Sequence, residues 1–420
     1  MNLDTSPGDG SRAVSLRLVQ TDDAAAPGEA SGASARWAPV WAAGDDVPPA
    51  SAAWRPGDPV GRRRFLDLGE LTLESGEVLP DVRIAYETWG TLAPDGRNAV
   101  LVEHALTGDS HVTGPAEPGH PTAGWWDSLV GPGRPIDTDR WFVVAPNVLG
   151  GCQGSTGPAS PAPDGRPWGG RFPLVTIRDQ VSAEIALADA LGVRDWALVI
   201  GASMGGMRVL EWAVMAPGRV RGVAPIATTA ASSGDQIAWA HAQLAAIRAD
   251  AGWRGGDYYD AAPGEGPHVG LGIARQIAHT TYRSAIELDR RFGRAAQPGE
   301  DPLFGDGRYA VQSYLDHHAR KLAWRFDANT YLALTQSILA HDVGRGRGGV
   351  EAALAAVSAR ALVVAVDTDR LYLPAESEEI AAALPTADYV HYVRSDFGHD
   401  GFLVESDQVG AIVADFLGEP

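Results

Sequence analysis

The sequence has almost no lysine and almost no cysteine. Lys321 is the only lysine and Cys152 the only cysteine among 420 residues. A Walker A phosphate loop is excluded because it needs Gly-Lys-Ser/Thr, and Lys321, in the segment His-Ala-Arg-Lys-Leu-Ala-Trp, is a poor candidate for Schiff-base chemistry. A single cysteine also excludes an intramolecular disulfide framework, which fits a reducing compartment.

Positive charge and long apolar runs are scarce as well. The formal net charge of -19 argues against nucleic acid or an anionic membrane surface as a partner, since both attract cationic patches. No apolar run approaches the roughly 20 residues that a membrane span needs, and the polar N-terminus does not resemble a signal peptide. We therefore expect a cytoplasmic protein that binds neither nucleic acid nor membrane.

The order of sequence patterns predicts one α/β core divided by an insertion. Residues 1–58, rich in Ala, Gly, Ser and Pro, predict a disordered tail. Residues 59–229 alternate strand and helix patterns, which is typical of a doubly wound, mostly parallel sheet. Residues 230–342 show only helical patterns and predict a helical lid. Residues 343–420 return to strands and complete the sheet.

One stretch predicts the chemistry. An apolar strand pattern runs into Gly201-Ala-Ser203-Met-Gly205, and a helical pattern follows at once. This is the G-x-S-x-G nucleophile elbow, in which a serine on a sharp turn projects its hydroxyl from the sheet edge. The flanking glycines remove side chains that would collide with the strand or the helix. Ser203 is therefore the predicted nucleophile.

A serine nucleophile needs a neutral imidazole to take its proton and a carboxylate to hold that imidazole. In α/β hydrolases the order along the chain is Ser, Asp or Glu, then His. Asp369 ends a late strand pattern and His399 follows the last one, so they are the predicted acid and base. Asp367, two residues earlier, is the rival acid, but Asp369 is preferred because it stands at the strand end.

The oxyanion of an acyl transfer needs two N–H donors. The residue after the nucleophile, Met204, supplies one candidate. Leu106, at the start of the loop after an early strand, supplies the other. No metal site is predicted, since the histidines include no HExxH pair and Cys152 has no partner cysteine.

At this point the chain from about residue 66 to residue 417 resembles the homoserine O-acyltransferases of the MetX type. The resemblance is long and collinear, and it excludes only the first sixty or so residues. The segments that carry it are 104–111 (HALTGDSH), 124–127 (GWWD), 147–151 (NVLGG), 203–206 (SMGG), 308–315 (RYAVQSYL), 341–348 (HDVGRGRG), 369–372 (DRLY) and 398–402 (GHDGF).

The resemblance implies an α/β-hydrolase fold and a two-stage acyl transfer. Ser203 would take acetyl from acetyl-CoA, and L-homoserine would then accept it, giving O-acetyl-L-homoserine on the route to methionine. The implied amino-acid-binding residues are Arg275, Tyr282 and Asp400. The resemblance implies no bound cofactor. It does imply a homodimer that associates through the helical insertion. The family usually has Gly-Gly-Ser at the elbow, where this chain has Gly-Ala-Ser.

Other functions remain open from the residues alone. The triad does not say whether water or an alcohol receives the acyl group, so a serine hydrolase on the same scaffold is an alternative. Homoserine O-succinyltransferase and serine O-acetyltransferase are further alternatives on this scaffold. The choice of acetyl or succinyl depends on the shape of the pocket around the acyl carbons, and serine could replace homoserine. A non-catalytic member of the fold is disfavoured because all three triad positions are filled.

Overall fold

The computed structural model describes residues 47–305 and 307–418. Within them, a nine-stranded sheet forms the centre of the protein, and two short strands, β4 and β5, pair separately. The strands are β1 (Arg64–Thr72), β2 (Val78–Trp89), β3 (Ala99–Glu103), β4 (Val130–Gly131), β5 (Ile136–Asp137), β6 (Phe142–Pro146), β7 (Trp196–Ala202), β8 (Gly222–Ile226), β9 (Arg360–Ala361), β10 (Val363–Val366) and β11 (Val390–Val393).

Helices cover the sheet and form the insertion. They are α1 (Ile177–Leu191), α2 (Met204–Met215), α3 (Gly234–Ala249), α4 (His268–Tyr282), α5 (Ala285–Arg291), α6 (Ala310–Ala323), α7 (Ala328–Leu339), α8 (Val350–Ala355), α9 (Pro374–Ala383), α10 (Gly401–Val404) and α11 (Ser406–Gly418). None of the helices in these two ranges is both long and apolar enough to cross a membrane.

The strand order is β1-β2-β6-β3-β7-β8-β10-β11, with β9 beside β8. The pairs β1–β2 and β2–β6 are antiparallel, and every later pair in the sheet is parallel. The predicted mostly parallel sheet is confirmed. The central strands β3 and β8 are buried along their whole length, as expected of parallel strands covered by helices on both faces.

Helix α1 shows how local sequence sets the boundaries of an element. Thr176 and Asp179 form a capping box, in which each side chain accepts from the other's backbone N–H. Gly192 ends the helix in the left-handed conformation, with φ 76°, which glycine adopts without steric cost. Helix α1 then packs against α2, the helix that follows the elbow.

Three apolar clusters fill the interior. Two of them include side chains from alternate positions of the central strands. The third includes Met204 of the elbow helix together with Leu271 of α4 and Tyr331 of α7. The helices α3 to α7 fall between β8 and β9, within residues 230–342, and this cluster packs α4 and α7 against the elbow helix. The division of the chain into a helical lid and a core stays a prediction.

The predicted disordered tail, residues 1–58, lies mostly outside the described residues. Its last part, 47–58, is described and is held by specific contacts, contrary to the prediction of disorder there. The backbone N–H of Trp54 donates to the Cys152 carbonyl at 2.9 Å, and the Ser51 hydroxyl donates to the Asp327 carboxylate at 2.7 Å. Pro and Ala in this segment hid these tertiary contacts, because composition reports local preference alone.

Candidate active site

Ser203 sits on a strained turn between β7 and α2. Its φ of 58° and ψ of −125° are rare for a residue with a side chain, and such strain persists only where neighbouring structure enforces it. A Cβ on Gly205 would lie 2.2 Å from the Glu103 carbonyl oxygen, and one on Gly201 would lie 2.7 Å from the Glu103 Cβ. The glycines therefore let β3 and the elbow approach each other. The predicted strand, turn and helix are all present.

Ala202, where the family usually has glycine, fits without conflict. It is 2% exposed, lies in one of the sheet's apolar clusters and pairs with Ile226 of β8. Its φ is not positive, so the added methyl group meets no backbone penalty.

Asp369 and His399 are in direct contact. The Nδ1 of His399 lies 2.6 Å from Oδ2 of Asp369, and both side chains are buried. The other oxygen of Asp369 accepts from the N–H groups of Leu371 and Tyr372 at 2.8 and 3.0 Å. Burial lowers the pKa of His399, but the Asp369 carboxylate opposes this and the pKa ends above its ordinary value.

The rival acid faces elsewhere. Asp367 accepts from the Ser395 N–H at 3.0 Å and from Arg394 at 3.2 Å, and neither of these partners is His399. The choice of Asp369 over Asp367 therefore fits the geometry, although the catalytic role itself stays a prediction.

A third residue, Tyr372, lies against both Ser203 and His399. Burial raises the pKa of the Tyr372 phenol, and a contact with the Ser203 side chain opposes that rise. The Tyr372 ring also lies 5.3 Å from the His399 ring, between centroids. Among the described residues, no hydrogen bond joins the Ser203 hydroxyl to His399. Catalytic hydrogen bonds are often long without substrate and tighten in the complex.

Both predicted oxyanion donors are free. In the part of the chain that the structure describes, neither the Leu106 N–H nor the Met204 N–H has a hydrogen-bond partner. Met204 is the first residue of α2, where the helix leaves its N–H groups unpaired, and the helix dipole favours negative charge at that end. The geometry is compatible with the predicted role.

A buried ion cluster fixes the loop that carries Leu106. Arg208 of α2 is fully buried, and its Nη1 lies 2.6 Å from Glu103 and 2.8 Å from Glu184. Its Nη2 donates to the His104 carbonyl, two residues before Leu106. Burial raises the pKa of Glu103 well above its usual range, against the opposing effect of Arg208. Arg208 thus connects the helix of the nucleophile to the loop of the second oxyanion donor.

The predicted amino-acid-binding pair, Arg275 and Tyr282, shares one face of α4. The Arg275 guanidinium lies 5.4 Å from the centre of the Tyr282 ring, and the Tyr282 ring lies 5.8 Å from the His399 ring. The Nη1 atom of Arg275 is buried and has no hydrogen-bond partner among the described residues. A buried donor without a partner is costly unless a ligand completes it.

Asp400, the third predicted binding residue, is engaged by another arginine. Its Oδ2 accepts from Arg283 at 3.2 Å, and Arg283 also pairs with Glu287 at 3.1 Å. Burial raises the pKa of Asp400, while His399 and then Arg275 oppose the rise. One carboxylate oxygen is left for a ligand.

A cavity of about 340 Å³ lies beside these groups. Arg275 and Asp400 line it, together with Ala105 and Thr107, which flank Leu106. Ser203 and His399 are not among its lining residues. The cavity therefore adjoins the predicted amino-acid-binding residues and the residues around the second predicted oxyanion donor.

Sequence reasoning missed three residues of the site. Tyr372 lies in the segment DRLY, Arg208 is one of two charges in an otherwise apolar helical pattern, and His279 follows Arg275 by four residues and so shares its helix face. His279 lines the cavity, and its Nε2 is buried without a partner in the described residues. Each of these residues could be noticed in the sequence, but the sequence did not show which other element its side chain would contact.

One cluster in the described residues has metal-ligand chemistry: Glu87, His111 and His120, all buried. The two rings are stacked at 3.9 Å and 14°, so their planes do not converge on one ion. The Nε2 of His120 already accepts from the Arg62 N–H at 3.0 Å, and Nδ1 of His111 lies 3.0 Å from Glu87. The arrangement is that of a hydrogen-bonded network rather than a coordination site.

Comparison with known proteins decides the family. The family described as alpha/beta hydrolase fold matches residues 98–406. A homoserine O-acetyltransferase from Thermobifida fusca is 61% identical over 372 residues, which cover 88% of this chain and 98% of that protein. The chain belongs to the homoserine O-acetyltransferase family.

Solved structures of similar proteins agree with this placement. A homoserine O-acetyltransferase from Bacillus anthracis has a TM-score of 0.78 and 26% identity, covering 85% of this chain and 97% of that one. Esterase E22 has a TM-score of 0.77 and 28% identity, covering 84% and 99%. The predicted α/β-hydrolase fold and the predicted family are confirmed, and with them the assignment to acyltransferase enzymes. The roles of individual residues in this member of the homoserine O-acetyltransferase family stay predictions.

Proposed function

We propose that the protein transfers acetyl from acetyl-CoA to the hydroxyl of L-homoserine, in methionine biosynthesis, through an acyl-enzyme on Ser203. The observation that carries the proposal is the 61% identity to a homoserine O-acetyltransferase over nearly that protein's whole length. The buried contact of Asp369 with His399 and the strained turn at Ser203 supply the chemistry that this activity needs.

In the first stage, Nε2 of His399 accepts the Ser203 proton while Oγ attacks the thioester carbonyl. The oxyanion lies between the N–H groups of Leu106 and Met204, which are free to receive it. The carbon–sulfur bond then breaks, and the thiol leaves with the proton from His399. Asp369 holds the imidazole in the tautomer that leaves Nε2 able to accept.

In the second stage, the homoserine hydroxyl gives its proton to His399 and attacks the acyl carbon, so that Ser203 leaves with that proton. A zwitterionic amino acid needs a guanidinium for its carboxylate and a carboxylate for its ammonium. Arg275, with its unpaired Nη1, binds the carboxylate, and Asp400 binds the ammonium group. Tyr282, between Arg275 and His399, fills the space between the binding and reacting groups.

A serine hydrolase is the second candidate, favoured by the likeness to esterase E22. Succinyl-CoA as donor or L-serine as acceptor would use the same machinery. Initial rates with acetyl-CoA or succinyl-CoA against L-homoserine or L-serine separate these functions. We expect acetyl-CoA with L-homoserine to be fastest, and mass spectrometry to find acetyl on Ser203 after incubation with acetyl-CoA alone.

Two results would contradict the proposal. Continuous, steady-state thiol release that does not depend on L-homoserine would indicate a hydrolase, because acetylation of Ser203 alone releases thiol only once per enzyme. Unchanged turnover in Ser203→Ala would exclude the acyl-enzyme.

We further propose a cytoplasmic homodimer that associates through the helical insertion. Leu303 and Phe304, in that insertion, are 68% and 90% exposed, which is unusual for apolar side chains without a partner. Analytical ultracentrifugation of the wild type and of Phe304→Ser tests this, and a monomeric wild type would contradict it.

A further inference from the structure

The cavity wall formed by α4, α6 and the residues after α6 is basic in a strongly acidic protein. Arg275, Lys321 and Arg325 line the cavity, whereas the chain as a whole has a net charge of -19. The only lysine of the sequence is thus found at this cavity. A concave site lined by one sign of charge concentrates ligands of the opposite charge.

The acidic residues of the same cavity neutralise this wall only in part. Asp109 pairs with Arg325 at 3.9 Å, and Asp400 pairs with Arg283, which lies outside the lining. Among the described residues, Lys321 makes no salt bridge. The cavity therefore has positive charge left for a ligand.

The cations lie at different depths. Arg275 has a buried, unpaired nitrogen, which suits the carboxylate of a small acceptor held close to His399. Lys321 is exposed at the last turn of α6, and Arg325 follows two residues after the helix ends. His318, one turn before Lys321, also lines the cavity. We call His318, Lys321 and Arg325 the basic rim.

We propose that the basic rim binds the phosphate groups of the acyl donor while its acyl end reaches Ser203. This rests on the proposed function, because it assumes a donor with phosphates far from its thioester. The long donor enters over the rim, so its charged end stays near solvent, where exchange with water costs least. His318 contributes as a neutral donor, since burial, and then Arg275, lower its pKa to about 4.

A different explanation of Lys321 is that it complements the negative end of the α6 dipole, as Arg320 also can. The two residues are adjacent, and both are exposed. Arg320 is not among the cavity-lining residues. Arg320→Gln is therefore a matched control, which removes the same charge from the same helix turn outside the cavity.

The experiment compares Lys321→Gln with Arg320→Gln and wild type, using three donors: acetyl-CoA, its 3′-dephospho form, and S-acetylpantetheine, which has no phosphate. We expect Lys321→Gln to raise KM for acetyl-CoA about two- to fivefold, the effect of one largely exposed charge pair. KM for S-acetylpantetheine and for L-homoserine should not change, and kcat should be retained. The dephospho donor shows which phosphate Lys321 contacts.

The proposal is overturned if Lys321→Gln changes KM for all three donors equally, or for none, or if Arg320→Gln has the same effect. Calorimetric titration with free CoA measures the same contact without turnover. Its affinity should fall in Lys321→Gln and with added salt, since screening weakens exposed charge pairs. If Ser203 is never acetylated but CoA binding still depends on Lys321, the proposed function fails and the phosphate site stands.

Discussion

Replacing Asp369 by asparagine tests the proposed triad most sharply. In the structure, Oδ1 of Asp369 accepts from the N–H groups of Leu371 and Tyr372, and Oδ2 faces Nδ1 of His399 at 2.6 Å. Asparagine has one oxygen and one NH₂ group for these two sides. Since two N–H donors need the oxygen, the NH₂ group must turn toward His399.

The expected loss follows from this orientation. An NH₂ group facing Nδ1 forces that nitrogen to accept, so the ring proton moves to Nε2, the nitrogen that must take the Ser203 proton. The opposite amide orientation would abandon two backbone hydrogen bonds, each worth about 0.5–1.5 kcal/mol. We therefore expect kcat to fall about 10⁴-fold, as when the triad aspartate of a serine protease becomes asparagine. That corresponds to about 5.4 kcal/mol of activation free energy.

The assay is single-turnover thiol release from acetyl-CoA, with folding checked by thermal unfolding. Asp367→Asn is the control: it changes the same residue type two positions earlier, and Asp367 contacts Ser395 and Arg394 instead of His399. It should stay within about threefold of wild type, as substitutions away from a site do. An Asp369→Asn enzyme within tenfold of wild type, or an equal loss in Asp367→Asn, would refute the reasoning.

Two further predictions follow from the same region. Because Asp369 leaves the pKa of His399 above its ordinary value, and the base must be neutral, kcat/KM should rise with pH through a midpoint above about 6.5; a midpoint below that value would contradict the assignment. Replacing Arg208 by methionine leaves two buried carboxylates without their cation and should lower the free energy of unfolding by about 3 kcal/mol. This is the lower end for such a pair because Glu103 can take up a proton, and urea denaturation that shows less than 1 kcal/mol of change would disprove it.

The elbow was predictable because its parts are local. A strand pattern, two glycines around Ser203 and a helical pattern are contiguous in sequence, and the structure has them in that order. The insertion was also predictable, since its long helices have clear periods. Helix α5 is only seven residues long, too short for a clear period, although Ser284 and Glu287 give a capping signal.

The cavity was not predictable in the same way. Arg275 and Lys321 lie on different helices, and no local pattern says that α4 and α6 pack together with both cations on one wall. The ion cluster around Arg208 was not predictable for the same reason. Glu103 of β3 and Glu184 of α1 come together only in the folded protein. Contacts of this kind follow from topology rather than from periodicity.

The helical insertion also orders events in time. It separates the strand and elbow of Ser203 from β10 and the loop of His399, so a ribosome makes the nucleophile long before it makes the base. A growing chain can complete its elbow and its lid while the serine stays an ordinary alcohol. On the proposed mechanism, reactivity toward thioesters needs His399 and so begins only when the last parallel strands have joined the sheet, and an incomplete chain should not consume acyl donors.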